Sequence, residues 1–299
     1  MKKKVLLGGG SGLVGNRLNQ LLTKKGYDVW ILSRNSKGKK NTIEWDVKNQ
    51  KLNAKEIEAF DHIINLTGAG IVDHPWTEDR KKEIIDSRTQ SSTLIAKAIQ
   101  QNEKKPISFV TASAVGYYGF VTGEHIFKES DDPGNDFLAE TCELWEKSSE
   151  LISNMGIPTA LIRIGIVLDK DGGALKEMAK PVKLFAAAAL GTGKQYLPWI
   201  HIDDLCNIFI HTMENKLEGP FNAGAPNQVD NKTFTKVLAK VLKRPYFLPN
   251  VPAFMMKLIL GTRALLVLEG SRVSPEKIQN TGFEFEFTDL EGALKEIYG

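Results

Sequence analysis

The fold prediction depends on the stretch Gly8-Gly9-Gly10-Ser11-Gly12-Leu13-Val14-Gly15. A short apolar run typical of a strand buried on both faces, Val5-Leu6-Leu7, precedes it, and an amphipathic helical pattern follows as far as Gly26. Glycines in this context allow a tight turn and a close approach of the backbone to a pyrophosphate, which the helix N-terminus then binds. The stretch therefore predicts a dinucleotide-binding loop rather than a turn that binds nothing. Its predicted contacts are Gly9, Ser11, Gly12, Leu13 and Val14.

Beyond this loop, short apolar runs alternate with amphipathic helical stretches. Further strands are predicted at 29–32, 42–45, 63–66, 107–110, 160–164, 199–202 and 221–223, and long helices at about 77–100, 137–154 and 203–214. This alternation predicts an α/β fold, a Rossmann-type doubly wound parallel sheet. From Asn231 onward the pattern is mostly helical, which predicts a smaller C-terminal substrate lobe. The predicted Rossmann domain comprises 1–170 together with about 199–224, and the lobe comprises 171–198 and 225–299.

Composition narrows the possible functions. The chain has 299 residues, 42% hydrophobic and 25% charged, which is enough to bury a large core. A net charge of +3 without a dense basic stripe argues against a nucleic-acid partner. Two cysteines cannot form a disulfide framework, and five scattered histidines give no metal-ligand spacing. The basic start at residues 1–4 precedes too few apolar residues for a signal peptide. We therefore expect a cytoplasmic protein with no membrane segment and no metal.

The residues after the second predicted strand select the dinucleotide. An Asp or Glu there binds the ribose 2′-hydroxyl of NAD, whereas an arginine accommodates the 2′-phosphate of NADP. Here Ser33 and Arg34 follow the strand, and Arg17 on the first helix can add a second cation. The sequence therefore predicts NADP(H) as the cofactor, with a surface arginine in a basic turn as the alternative. Asp46, after the third strand, is predicted to contact the adenine edge, or else to cap a turn.

Several further motifs resemble those of one protein family. They are Asn65-Leu66-Thr67-Gly68-Ala69, Ile84-Ile85-Asp86-Ser87-Arg88, and the stretches 111–119, 136–140, 163–168, 199–204 and 282–285. With the glycine loop, they resemble an extended short-chain dehydrogenase/reductase. The similarity is to the atypical subgroup of NAD-dependent epimerase/dehydratase family proteins formerly labelled cell division inhibitors. It runs the whole chain, including a C-terminal domain of unknown function, and implies an NADP-type Rossmann fold with an unassigned substrate.

The resemblance also implies roles for individual residues. Ser33 and Arg34 contact the adenosine phosphate, the loop 66–68 runs along the ribose and pyrophosphate, and two residues of the long helix reach the cofactor. The predicted contacts beyond the glycine loop are Ser33, Arg34, Asp46, Leu66, Thr67, Gly68, Glu83, Arg88 and Ile166, the last at the nicotinamide end. The alternatives are that Leu66 and Ile166 are core residues and that Glu83 and Arg88 form a helix-surface pair.

The proton-transfer pair of most short-chain dehydrogenases is missing. Its Tyr-x-x-x-Lys spacing falls on Phe137 and Thr141, which have neither a phenol proton nor a positive charge. The predicted replacement is Tyr118 with Ser113 as its hydrogen-bonding partner. A second phenol, a carboxylate and a thiol are further candidates: Tyr117, Glu140 and Cys142. For each of these residues, a packing or helix-stabilising role is the competing interpretation.

Other residues are assigned to the cleft or to the core. The predicted cleft residues are Trp76, Gln195, Tyr196 and Trp199. His201 either faces this cleft or is a satisfied core histidine, Asp203 caps the helix that follows, and 254–256 lie in the core of the lobe.

These patterns together predict an NADP(H)-dependent oxidoreductase or epimerase-like protein that acts on an unidentified small molecule as a monomer or homodimer. The alternative is a non-catalytic NADPH-binding sensor or regulatory protein, which the residues Phe137 and Thr141 motivate.

Overall fold

An eight-stranded sheet forms the centre of the computed structural model, which describes residues 2–299. The strands are, in chain order, β1 (Lys4–Gly8), β2 (Asp28–Ser33), β3 (Thr42–Asp46), β4 (Lys51–Leu52), β5 (His62–Asn65), β6 (Ser108–Ala114), β7 (Ile126–Phe127), β8 (Thr159–Ile164), β9 (Ile166–Leu168), β10 (Tyr196–Leu197), β11 (Trp199–His201), β12 (Gly219–Ala223), β13 (Val229–Asp230) and β14 (Arg272–Val273). The sheet order is β12-β8-β6-β5-β1-β2-β3-β4, with parallel neighbours except at the β3–β4 edge. The predicted doubly wound parallel sheet is confirmed.

Helices cover both faces of this sheet. They are α1 (Leu13–Lys24), α2 (Ala54–Ile57), α3 (Glu78–Gln100), α4 (Phe137–Ser153), α5 (Gly173–Lys183), α6 (Ile202–Glu214), α7 (Asn231–Val241), α8 (Ala253–Leu260), α9 (Leu265–Leu268), α10 (Glu276–Gln279) and α11 (Leu290–Tyr298), with short 3₁₀ helices at Val115–Tyr118 and Gly261–Ala264. The central strand β1 is buried on both sides: Leu7 belongs to one core cluster and Leu6 to the other. Its continuous apolar run made it predictable as a central strand.

The strand order places a crevice at the carboxyl ends of the central strands β1 and β5. From β1 the chain passes through α1 to β2 on one side, whereas β5 lies on the other side of β1. The connections leave β1 and β5 in opposite directions, so a gap opens outside their carboxyl ends. In open α/β sheets, ligands bind in this gap.

The C-terminal segments build a third core cluster, in which α5, α7 and α11 pack around Trp199 and Phe234. The prediction that residues 254–256 lie in the lobe core is wrong. Helix α8 contains no buried residue, and Phe254 is 70% exposed. Because α8 is apolar on nearly every face, its sequence carries no signal of which face, if any, is covered.

Within residues 2–299, no helix combines the length and the apolar character needed to cross a bilayer. The division at residues 170, 198 and 224 into a Rossmann domain and a lobe stays a prediction.

Candidate functional site

The glycine loop turns sharply between β1 and α1. Gly9 has a φ of 74°, and the backbone N–H of Gly12 donates to the Gly9 carbonyl at 3.1 Å. A Cβ on Gly15 would lie 2.7 Å from Gly10 Cα and closer still to the Gly9 carbonyl oxygen. Glycine at position 15 is therefore what allows α1 to start against the loop. Of the predicted loop contacts, Ser11 lies in this turn and Leu13 and Val14 begin α1.

The N-terminus of α1 is open to an anion. Its N-cap is Gly12, which has no side chain to cap the helix, and its first turn contains no acidic residue. Three other helices are closed at this end, since Thr77 caps α3, Asp136 caps α4 and Asp230 caps α7, whereas α5 shares the open end of α1. The first N–H groups of α1 and the positive end of its dipole are thus left for an external acceptor such as a phosphate.

The loop after β5 lies against the glycine loop. The Asn65 amide donates to two serine hydroxyls of α3 at 3.2 Å each, and its Oδ1 accepts from the Thr67 N–H at 3.1 Å. A Cβ on Gly9 would lie 2.8 Å from the Leu66 carbonyl, so the two loops touch through their backbones. The Thr67 hydroxyl is buried and has no hydrogen-bond partner among residues 2–299. The predicted contacts Leu66 and Thr67 therefore adjoin the glycine loop.

The end of β2 carries the predicted phosphate-binding residues. Ser33 is the last residue of β2, and its hydroxyl hydrogen-bonds with the backbone of Asn35. Arg34 is exposed and forms no ion pair within the described part of the chain. Asp46 caps a turn by accepting from the backbone and the side chain of Asn49 at 3.0 and 2.6 Å, and these bonds lower the pKa of its carboxyl group. Arg34 is thus accessible to a ligand, whereas Asp46 makes the turn contacts of the alternative interpretation.

Arg17 is not available as a second cation. Its Nε and Nη2 donate to the two carboxylate oxygens of Asp203 at 2.5 and 2.7 Å, a bidentate pair that ties α1 to α6. The predicted capping role of Asp203 is wrong, because His201 is the N-cap of α6 and its Nδ1 accepts from the Asp203 N–H. His201 Nε2 lies 2.9 Å from the Glu296 carboxylate, and the residue is 2% exposed. His201 is therefore a satisfied core histidine.

A cavity of about 410 Å³ lies between the sheet and the C-terminal segments. Its sheet side includes five of the predicted cofactor contacts: Val14, Leu66, Gly68, Arg88 and Ile166. Its opposite side includes Tyr196, Leu266 and residues 269–271. The cavity thus extends from the end of the predicted cofactor site to the lobe, and its size suits a small molecule.

Arg88 is buried beside this cavity, so it is not half of a helix-surface pair. Its Nη1 donates to the Ile84 carbonyl at 2.9 Å, and its guanidinium lies 5.0 Å from the centre of the Trp145 ring. No carboxylate pairs with it in residues 2–299, and burial lowers its pKa. Glu83 is exposed and pairs with Arg80 at 2.6 Å. Arg88 therefore lines the cavity, whereas Glu83 lies outside it.

Ser113, the predicted hydrogen-bonding residue, lines the cavity and belongs to a buried ionic network. Its hydroxyl donates to Glu146 Oε1 at 2.7 Å. The same carboxylate receives two hydrogen bonds from Arg163, from Nε at 2.8 Å and from Nη2 at 2.9 Å. Burial alone would lower the pKa of Arg163, but the hydrogen bonds and charge of Glu146 outweigh burial and raise it. Ser113 and Arg163 thus hold the Glu146 side chain in place through three hydrogen bonds.

Tyr118 faces away from the cavity. Its ring is 1% exposed, and its hydroxyl bonds to Asn222 Oδ1 at 2.8 Å and to Arg163 Nη1 at 2.9 Å. Burial raises its pKa to about 12. Tyr117 packs under the Arg163 guanidinium, 3.5 Å from the ring centre. The predicted pairing of Tyr118 with Ser113 at a substrate is therefore not formed, because the 3₁₀ turn after β6 directs both phenols into the Arg163 network.

The positions of the missing Tyr and Lys lie at the start of α4. The Phe137 ring packs against Trp76 at 5.2 Å, and the Thr141 hydroxyl, which lines the cavity, donates to the Phe137 carbonyl at 2.7 Å. Cys142 also lines the cavity, but burial raises the pKa of its thiol to about 12, so it is not a thiolate near neutral pH. Glu140 is exposed and lies outside the cavity lining.

Of the predicted cleft residues, Tyr196 lines the cavity and three do not. Trp199 is fully buried and donates from Nε1 to the Asn227 carbonyl at 3.1 Å. Gln195 is also fully buried, and its amide donates to the Leu190 and Val267 carbonyls. Trp76 lies beside Phe137 and outside the cavity lining. Aromatic composition alone did not distinguish lobe core from cleft.

Glu146, Arg163 and Glu269 are site residues that the sequence reasoning missed. A signal existed for Arg163, because a charged residue inside the apolar strand 160–164 must have a buried partner. The register pairs Arg163 with Ser113 on the neighbouring strand, which brings both beside α4 and Glu146. No comparable pattern indicated Glu269.

The strand order, the glycine loop at the switch point and the lobe over the cavity define the class of extended short-chain dehydrogenase/reductase folds. Residues 5–142 match the model of the NAD dependent epimerase/dehydratase family, and residues 251–297 match a domain of unknown function, DUF1731. The chain is 38% identical over 298 residues to Epimerase family protein YfhF of Bacillus subtilis, covering 98% of this chain and 97% of that protein. The chain therefore belongs to the NAD dependent epimerase/dehydratase family.

A human relative and its crystal structure support this family assignment. Epimerase family protein SDR39U1 of Homo sapiens is 35% identical over 301 residues, covering 98% of this chain and 99% of that protein. A crystal structure of human epimerase family protein SDR39U1 (isoform2) with NADPH is similar at a TM-score of 0.88 and 32% identity, covering 99% of each chain. The predicted family and the C-terminal domain of unknown function are both confirmed.

Proposed function

We propose that this chain binds NADP(H) at the glycine loop and acts as an NADP(H)-dependent oxidoreductase on a small molecule in the adjoining cavity. The observation that carries the proposal is the uncapped N-terminus of α1 directly after the turn at Gly9. At Gly12 an added Cβ would meet only the Gly9 carbonyl oxygen, at 3.4 Å, so the protein leaves room for a pyrophosphate there. The human relative crystallised with NADPH supports the choice of cofactor.

We place the cofactor along the carboxyl ends of β1, β2 and β5. Ser33 and Arg34 bind the 2′-phosphate, the loop 66–68 follows the ribose and pyrophosphate, and Ile166 contacts the nicotinamide. Arg88 supports this placement, since it is a buried cation without a carboxylate partner among residues 2–299 and lines the same cavity. We assign Asp46 and Glu83 to the periphery of the cofactor site. To contact the cofactor, Asp46 would give up its hydrogen bond with Asn49, and Glu83 would give up its ion pair with Arg80.

Arg34→Ala tests the cofactor assignment. We expect the native chain to bind NADPH at least about tenfold more tightly than NADH, equivalent to ~1.4 kcal/mol, and the variant to lose this difference. The reason is that Arg34 supplies a fork of donors to the 2′-phosphate, which NADH lacks. Fluorescence titration of both nucleotides measures it, with Lys39→Ala from the same basic turn as the matched control. Equal affinities for the two nucleotides in the native chain would contradict the assignment.

We assign the proton-handling role at the cavity to Ser113 and Glu146. The chemistry that NADP(H) supplies when bound is exchange of a hydride with a carbinol or carbonyl carbon. As an alcohol is oxidised, Ser113 Oγ accepts the hydroxyl proton while its own proton passes to Glu146 Oε1, along the existing 2.7 Å bond. The reverse path returns the proton during carbonyl reduction. Arg163 is a positioning residue, because it holds the Glu146 carboxylate through two bonds.

Ser113→Ala tests this assignment. We expect it to lower turnover of secondary alcohols with NADP⁺ by about a hundredfold, because a proton relay typically contributes 10²–10⁴-fold, and to leave the Kd for NADPH unchanged. Steady-state kinetics on 2-butanol, 2-hexanol and 2-octanol and a parallel NADPH titration measure both quantities. Ser148→Ala on the outer side of α4, where the hydroxyl bonds to the Trp145 carbonyl, is the control. Turnover that survives Ser113→Ala would remove Ser113 from the mechanism.

A non-catalytic NADPH sensor is the second candidate function. It is favoured by Phe137 and Thr141, and by the contacts of Tyr118 with Arg163 and Asn222 rather than with the cavity. It predicts NADPH binding with no oxidation of any alcohol and no reduction of any ketone in the same series. The kinetic measurement above therefore separates the two functions.

A further inference from the structure

The cavity beside the proposed nicotinamide position is lined mainly by apolar side chains, six of which are Ile71, Ile84, Val115, Phe120, Leu138 and Leu266. We infer that the substrate is a small, largely apolar molecule that carries a hydrogen-bond donor and no negative charge. A nucleoside diphosphate sugar does not meet this description. The inference rests on the proposed function, because it takes the end of the cavity at Gly68 and Ile166 to hold the cofactor.

The charges on the cavity wall exclude anions. In residues 2–299, the charged side chains that line it are Arg88 and Glu269. Arg88 lies on the sheet side, against Gly68, where the proposed cofactor occupies it. Glu269 lies on the lobe side, accepts a hydrogen bond from Thr122 and has no cationic partner in the described chain. The part of the cavity left for a substrate therefore has a carboxylate as its charged group, which repels phosphates and carboxylates.

Two arginines near the cavity are already paired with carboxylates. Arg163 is bound by Glu146, while Arg272 lies 4.5 Å from the centre of the Tyr196 ring and 3.7 Å from the Glu124 carboxylate. A diphosphate needs several free cations or an open helix N-terminus to replace its water. Neither of these arginines can supply that charge without abandoning its own partner.

The N-terminus of α4, which also borders the cavity, is closed to anions. Helix α4 reaches the lining through Leu138, and its N-cap is Asp136. One Asp136 oxygen accepts from the backbone N–H groups of Leu138 and Ala139 at 2.9 and 3.1 Å, and the other accepts from the Phe120 N–H. The N–H groups that would attract a phosphate are thus occupied by a carboxylate.

Three hydroxyl-bearing residues of the cavity lining already use their hydrogen in bonds to the protein. Ser113 donates to Glu146, Thr141 donates to the Phe137 carbonyl, and the Ser271 hydroxyl lies 3.3 Å from the Gly119 and Val121 carbonyls. Each hydroxyl has one hydrogen, and these bonds use it, so what each can still offer a ligand is a lone pair. The Trp145 indole N–H, which has no partner in residues 2–299, is a donor on the same lining. Together with the Glu269 carboxylate, the three hydroxyls match a ligand that donates, such as an alcohol or an alkylammonium group.

Binding to the native chain saturated with NADPH tests this inference, because the reduced cofactor cannot oxidise an alcohol probe during the titration. Titration calorimetry with 2-hexanol, hexylammonium, hexanoate and UDP-glucose is the direct comparison. We expect 2-hexanol and hexylammonium to bind at least about tenfold more tightly than either anion, and each added methylene of a 2-alkanol series to tighten binding about fourfold. Glu269→Gln should remove the advantage of hexylammonium over hexanoate, because the variant has no negative charge to attract a cation. Glu276→Gln, whose carboxylate is 62% exposed and outside the cavity, is the matched control.

The outcomes separate this inference from the proposed function. NADPH binding is measured first, and its absence would overturn both. If NADPH binds but UDP-glucose or hexanoate binds as tightly as 2-hexanol, or none of the four probes binds, the substrate inference alone is overturned. A preference for 2-hexanol and hexylammonium that Glu269→Gln alters as described supports it.

Discussion

Gly15→Ala is expected to weaken NADPH binding on the order of a hundredfold, about 2.7 kcal/mol. The added Cβ would lie 2.7 Å from Gly10 Cα and closer still to the Gly9 carbonyl oxygen. These are backbone atoms, which cannot rotate away as the end of a flexible side chain can. Helix α1 and the loop must therefore separate, and the N–H groups that hold the pyrophosphate move with them. Fluorescence titration of NADPH gives the affinity, and urea denaturation gives the accompanying loss of stability.

Gly12→Ala is the matched comparison for this prediction. Its φ is −77°, which alanine adopts freely, and its Cβ would meet only the Gly9 carbonyl oxygen, at 3.4 Å. We expect the free energy of unfolding to stay within about 0.5 kcal/mol of the native value. Any loss of NADPH affinity in Gly12→Ala then reports the closeness of the ligand rather than damage to the loop. Native-like binding by Gly15→Ala would contradict the geometry of the turn.

The sheet and the glycine loop were predictable because their signals are local. Val5-Leu6-Leu7 is an uninterrupted apolar run next to glycines, and the helix pattern after it begins within a few residues. The same holds for α3 and α4, whose N-caps Thr77 and Asp136 stand where the apolar periodicity starts. These features follow from short segments of chain and do not depend on what packs against them.

What the sequence left undecided or misplaced concerns residues whose environment is set by distant parts of the chain. Arg88 follows a helical charge pattern with Glu83, yet α4 covers that face of α3 and Trp145 lies under the guanidinium. Tyr118 and Ser113 are five positions apart, but a single 3₁₀ turn sends the phenol into a buried network and leaves the serine at the cavity. Helix α8 has a core-like composition and an exposed surface. Neither periodicity nor propensity encodes these packing choices.

Arg163→Met is expected to lower the free energy of unfolding by about 3–5 kcal/mol, because it leaves the Glu146 carboxylate buried without its cation. The Arg163 and Glu146 side chains are 3% and 11% exposed, so water cannot replace the lost bonds. Tyr118 would also lose the guanidinium that donates to its hydroxyl at 2.9 Å. Urea denaturation measures the change. Lys82→Met, which removes an exposed helix-surface pair with Asp86, is the control and should cost less than about 0.5 kcal/mol.

The double variant Arg163→Met/Glu146→Met distinguishes two causes of the lost stability, namely an unpaired buried charge and lost packing contacts. If the cost of the single variant comes mainly from the stranded carboxylate, removing that carboxylate as well should restore about half or more of the lost stability. If the cost comes from the contacts of the guanidinium with Tyr117 and Tyr118, the double variant should be as unstable as the single one. We expect the first result, because two charged hydrogen bonds from Arg163 end on Glu146 and one ends on a neutral phenol. A loss below about 1 kcal/mol in Arg163→Met would contradict the network as a stabilising element.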